Sequence, residues 1–177
     1  MSTVGIVVGN PKAGSRTLGV AEAVASASAD AAGLAGADRV VVDLAGFGPQ
    51  LFDWSSPAVR DAVQQVSATA LTVVASPTYK ASYTGLLKSF LDWFSTTDLL
   101  GVTVVPVMVG AGLQHALAVE VHLRPVLLEL GATLPTRGLY VTEDQLADLD
   151  AVVATWLREA GPALRAAVGD ADGCSGA

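Results

Sequence analysis

The residues best able to do chemistry follow the first apolar run, in Gly9-Asn10-Pro11-Lys12-Ala13-Gly14-Ser15-Arg16-Thr17. Where such a loop enters a helix, backbone N–H groups and the positive end of the helix dipole form an anion site. Ser15 and Thr17 add hydroxyl donors, and Arg16 adds a planar fork that can grip a phosphate through two bonds. The same residues also suit a plain strand-to-helix turn, with Ser15 as the cap and Arg16 on the surface.

Gly9, four residues and Gly14 nearly spell a nucleotide-triphosphate loop, but Ser15 stands where that loop needs Lys. A triphosphatase also needs an Asp at the end of a later strand to hold magnesium. The later runs end in Ala75-Ser76-Pro77 and Val109-Gly110, without a carboxylate. Gly9-Asn10 lacks the acidic pair of a receiver domain. Gly-x-Gly-x-x-Gly is absent, and Asp43 alone at the tip of the second run is a weak dinucleotide signal. What remains is a phosphate monoester on a ligand that also fills two further loops, which points to FMN.

The first of those loops is Ser76–Tyr83, where Pro77 fixes the backbone and Thr78-Tyr79-Lys80 project at the crevice. Tyr79 suits an apolar wall for a flat heterocycle, and Lys80 a positive charge near the ring or a dinucleotide phosphate. The second is Gly110–His115, where Gly110-Ala111-Gly112 lets backbone approach a ligand closely.

These loops need a scaffold. Short, β-branched apolar runs at 3–9, 38–44, 70–76, 102–110 and 138–142 read as strands buried on both faces, as in a parallel sheet. Helical spacing covers Arg16–Ala32, Pro57–Thr69 (capped by Ser56), Tyr83–Phe94, His115–Leu130 and Gln145–Val168. Strict alternation implies a doubly wound α/β sheet, whose ligands lie beyond the carboxyl ends of the strands. Residues 46–57 form a longer loop. Residues 1–168 are expected to form one domain, with 169–177 a disordered tail.

Composition agrees with a single large core. Of 177 residues, 51% are hydrophobic and 15% charged, and the net charge of −7 comes without a basic cluster, which argues against nucleic-acid binding. No apolar run reaches the about 20 residues of a membrane span. The opening residues lack a basic n-region, and the lone Cys174 can form no intrachain bridge, so a cytoplasmic location is expected. No metal site is expected. Tyr83 is read mainly as a packing residue, His115 and His122 as non-catalytic, and Glu120–Arg124 as a surface i,i+4 pair.

Three stretches together resemble the NADPH-dependent FMN reductase family of flavodoxin-like proteins: GNPKAGSRT, SPTYKASYTGLLKSFLDW and PVMVGAGLQHALAVEVHLRPVLLELGA. The resemblance runs from the first strand to about Tyr140. It implies a three-layer α/β/α sandwich with a five-stranded parallel sheet in the order 2-1-3-4-5. It further implies that Asn10, Lys12, Ser15, Arg16 and Thr17 surround the FMN phosphate. Pro77, Thr78, Tyr79 and Lys80 would border the ring and ribityl chain, with Gly110, Ala111 and Gly112 completing the ring site.

The implied reaction is hydride transfer from NADPH or NADH to FMN, with no side-chain acid or base required. The nearest relatives look like reductases that supply reduced flavin to two-component monooxygenases, and the family usually forms dimers or tetramers. In some desulfonation-linked relatives an aromatic residue stands where this chain has Val121. The alternatives are a quinone or azo-type reductase that retains FMN, and a flavodoxin-like electron carrier without nicotinamide activity.

Overall fold

A computed structural model describes residues 2–173. Five parallel strands, β1 (Thr3–Val8), β2 (Asp38–Asp43), β3 (Leu71–Pro77), β4 (Thr103–Gly110) and β5 (Leu139–Thr142), form one sheet in the order β2-β1-β3-β4-β5. The helices between them are α1 (Arg16–Ala32), α2 (Pro57–Ser67), α3 (Gly85–Leu91) and α4 (Arg124–Glu129), and α5 (Leu149–Gly173) follows β5.

Alternation along the strands builds a core on each face. Leu71, Val73 and Ala75 of β3, with Val105, Val107 and Val109 of β4, pack against Val20, Ala21 and Val24 of α1 and Val153 and Leu164 of α5. Val74, Val104 and Met108 face the other way, onto Val59 of α2, Leu87 and Phe90 of α3 and Leu127 of α4. β3 is buried along its whole length because it has a strand on either side and helices above and below.

β2 departs from the reading as a strand buried on both faces. As the sheet's edge it is largely exposed, and Val41 keeps 48% of its surface in water. A β-branched run marks a strand but does not reveal its rank in the sheet.

α1 has the bounds its spacing implies. Ser15 caps it by accepting from the Leu18 N–H, and Gly33 closes it at φ 83°. The expected 83–94 helix is shorter, since Thr84 is the cap and the turn ends at Asp92. The expected 115–130 helix is interrupted: a 3₁₀ turn (Leu113–His115) and a π-helical turn (Val119–Leu123) precede α4. The long 46–57 loop contains a 3₁₀ turn, Gly48–Phe52. A further 3₁₀ turn, Glu143–Asp148, occupies the start of the segment expected to be the last helix. The backbone of α5 continues past Gly169 to Gly173, because no proline or capping signal stops it there; Cys174 lies outside the described residues.

Candidate functional site

The carboxyl ends of β1, β3, β4 and β5 open onto one cleft of about 400 Å³. Its floor is fixed by short bonds between loops. The Gly9 amide donates to Ala75 at 2.8 Å, and the Thr78 amide to Val109 at 2.7 Å. The Ser76 hydroxyl accepts from the Thr84 amide at 3.0 Å, while the Thr84 hydroxyl donates to the Gly9 carbonyl at 2.6 Å. Two of the three loops are thereby locked to each other before any ligand arrives.

The first loop curls around Asn10. Its carboxamide oxygen accepts from the Lys12 amide at 2.9 Å, and its amide group donates to the Thr17 hydroxyl at 3.0 Å. Gly14 then turns at φ 59°, a left-handed conformation that costs glycine little. That turn delivers Ser15, Arg16 and Thr17, the head of α1, to the cleft wall. The first-turn N–H groups of a helix lack intrahelical partners and carry partial positive charge, so this wall favours an anion.

Asn10, Lys12, Ser15, Arg16, Thr17, Pro77, Thr78, Tyr79, Gly110 and Ala111 all line this one cleft. Lys80 and Gly112 do not. Lys80 and Ala81 take φ 52° and 65° at the tip of a tight turn closed by bonds between Tyr79 and Ser82, which leaves Lys80 exposed. Gly112 faces the base of the loop, its carbonyl accepting from the Tyr140 hydroxyl at 3.1 Å. Both readings of Ser15 hold geometrically, since it caps α1 and also borders the cleft.

Three lining residues were not named as site residues from the sequence: Gly14, Val109 and Glu143. Glu143 directly follows β5, and its carboxylate pairs with the Arg16 guanidinium at 2.8 Å. The rule that ligands gather at strand carboxyl ends points there, had the fifth strand's loop been counted with the others. Asp43, at the end of β2, accepts from the Gly14 amide at 3.4 Å and from the Ala45 amide at 3.2 Å.

His115 and His122 stand apart, on the flank formed by residues 113–122, beside exposed Leu113, Leu117 and Val121. Glu120 and Arg124 form the expected i,i+4 pair, 3.8 Å apart, and each also holds backbone. Arg124 donates to the Thr136 and Leu134 carbonyls at 2.6 and 2.8 Å, and Glu120 accepts from the Gly138 amide at 2.6 Å. Together they clamp the segment leading into β5. Tyr83 is half-buried against the α3 core, as its packing role requires, and burial raises its phenol above the ordinary 10.0. Among the described residues no group of three or more His, Cys, Asp or Glu could hold a metal ion, and no helix is long and apolar enough to cross a membrane.

Known proteins share this fold. The family model for NADPH-dependent FMN reductase matches residues 2–147. An FMN reductase (NADPH) of Escherichia coli K12 is 36% identical over 95 residues, 54% of this chain and 50% of that protein. The chain thus spans about half the length of the curated relatives it matches. An oxidoreductase from Corynebacterium diphtheriae superposes with a TM-score of 0.79 at 26% identity, over 96% of this chain and 98% of the other. The apo form of an NADH:FMN oxidoreductase (EMOB) does so with a TM-score of 0.74 at 26% identity, over 90% of each. With the family model spanning every strand and the whole cleft, the chain belongs to the NADPH-dependent FMN reductase family.

Proposed function

We propose that this protein is an NAD(P)H-dependent FMN reductase whose flavin site is the cleft at the carboxyl ends of the strands. The observation that carries the reading is the meeting, in one cleft, of an anion-binding helix start with an aromatic wall and a glycine-lined floor. The E. coli relative is named for NADPH and the EMOB neighbour for NADH, and either nicotinamide fits the proposal.

The residues fit FMN. Ser15, Arg16, Thr17 and Lys12 offer hydroxyl and cationic donors suited to its phosphate, on the wall where α1 begins. Thr78 lines the cleft, and its buried hydroxyl has no protein hydrogen-bond partner. Any Cβ at Gly110 would reach within 1.9 Å of the Tyr140 hydroxyl and 3.2 Å of the Thr78 hydroxyl, so this floor stays bare backbone. Tyr79, 52% exposed at the rim, supplies an aromatic surface for a ring.

When bound, FMN would supply the two-electron chemistry, accepting a hydride from the reduced nicotinamide. The chain's own part is to bind, orient and exclude water. The cations of the first loop, Lys12 and Arg16, favour negative charge in the cleft. No side chain is assigned a proton-transfer role.

The proposal includes a cytoplasmic location and a homo-oligomer, with reduced flavin passed to a partner monooxygenase. Exposed Leu113, Leu117, Val121 and Leu128 support self-association on that flank. The deciding experiment is anaerobic oxidation of NADPH and NADH with and without added FMN. Turnover that requires FMN and bleaches its absorbance is expected. Nicotinamide oxidation indifferent to FMN, or absent altogether, would overturn the assignment.

A further inference from the structure

Among the described residues Arg16 is the one guanidinium in the cleft wall, and it does not face the cleft alone. Glu143, 127 residues away in sequence, comes off the end of β5 and accepts from Arg16 Nη2 at 2.8 Å. The contact is single-pronged and the two side chains are 67% and 47% exposed, so it is easily exchanged. The neighbouring Gly14 amide is met by a second carboxylate, that of Asp43. Two of the loop's donors, the Arg16 guanidinium and the Gly14 amide, thus already meet carboxylates of the chain itself.

We propose that Glu143 is an intramolecular competitor for the ligand's phosphate: its carboxylate holds the guanidinium that the phosphate would take, and so promotes release of FMN. The proposal rests on the flavin reading above and adds to it the control of flavin retention. A phosphate monoester carries close to two negative charges near neutral pH. To take the Arg16 Nη2 donor it must displace Glu143, and the displaced carboxylate remains in the same cleft wall, where like charges repel. Because the Arg16–Glu143 pair is solvent-exposed, the penalty is modest. It produces a ligand that exchanges rather than one that is excluded.

The test is calorimetric titration of wild type and Glu143→Gln with FMN and with riboflavin, which has the same ring and no phosphate. Glu143→Gln is expected to tighten FMN about three- to fivefold and to change riboflavin less than twofold. In an Arg16→Gln background the same substitution should gain less than twofold, since the guanidinium being contested is gone. Unchanged or weaker FMN binding by Glu143→Gln overturns the competitor role while leaving the flavin site standing, as does an equal gain for riboflavin. Wild-type protein that binds neither flavin overturns the flavin reading, and this inference with it. Matching thermal unfolding of the two proteins verifies that the variant is folded.

Discussion

The Thr84 hydroxyl donates to the Gly9 carbonyl at 2.6 Å and accepts from the Leu87 amide at 3.1 Å. One side chain therefore caps α3 and closes the end of β1, 75 residues away. Thr84 is 3% exposed, so removing the hydroxyl leaves a buried carbonyl and a buried amide without partners. Thr84→Val should cost about 2–4 kcal/mol in urea unfolding, combining a lost cap with an orphaned carbonyl. Thr84→Ser keeps both bonds and loses one methyl, about 1 kcal/mol. Equal stability of the two variants would refute the double role.

Gly9 and Gly14 serve the same loop for different reasons. A Cβ on Gly9 would sit 2.5 Å from the Leu87 Cβ, with backbone behind it, whereas one on Gly14 would meet nothing within 4 Å. Gly14 is needed only for its φ of 59°. Gly14→Ala should cost about 1–2 kcal/mol and Gly14→Asn less, since Asn tolerates the left-handed region. Gly9→Ala forces β1 and α3 apart and should cost about 3 kcal/mol or more. A chemical-denaturation series in which Gly14→Ala is the more damaging would contradict this division.

How far the sequence spoke for the structure depended on whether the signal was local. Ser15 and Gly33 bound α1 by their own chemistry, and the strands announced themselves as short β-branched runs. The rank of β2 at the sheet edge is decided by other strands, so its hydrophobicity misled. The π-helical turn at Val119–Leu123 shifts the helical register by one residue, which a 3.6-residue period does not reveal. Of the site, the residues named from the loops after β1, β3 and β4 came together except Lys80 and Gly112, whose turns take them elsewhere. Glu143 escaped notice because its meaning depends on Arg16, far away in the chain.

Arg124 was legible only as half of an i,i+4 pair, yet its two donations to the Thr136 and Leu134 carbonyls tie α4 to the segment before β5. Arg124→Met keeps the aliphatic stem and loses both charge-assisted bonds, and should cost about 2 kcal/mol. Arg124→Lys can replace one bond but not the fork, so it should fall between Met and wild type. Loosening should also speed tryptic cleavage after Arg137, which lies in the clamped segment. Unaltered cleavage at that bond in Arg124→Met would show that the clamp does not restrain it.

Tyr83 gives the chain an alkaline signature. Burial against the α3 core is the main cause of its raised pKa, with nearby Lys88 opposing the shift and Asp92 adding to it. A phenol whose folded pKa exceeds its unfolded value near 10 contributes stability that is complete below pH 10 and lost as pH rises through the folded value. The absorbance difference at 295 nm between wild type and Tyr83→Phe should therefore titrate with a midpoint above 10. Between pH 8 and pH 11 the wild type should lose more unfolding free energy than Tyr83→Phe, because only the wild type must then hold a buried phenolate. A difference titration centred at or below 10 would mean that water reaches the Tyr83 hydroxyl freely, and that the start of α3 is more open than its packing implies.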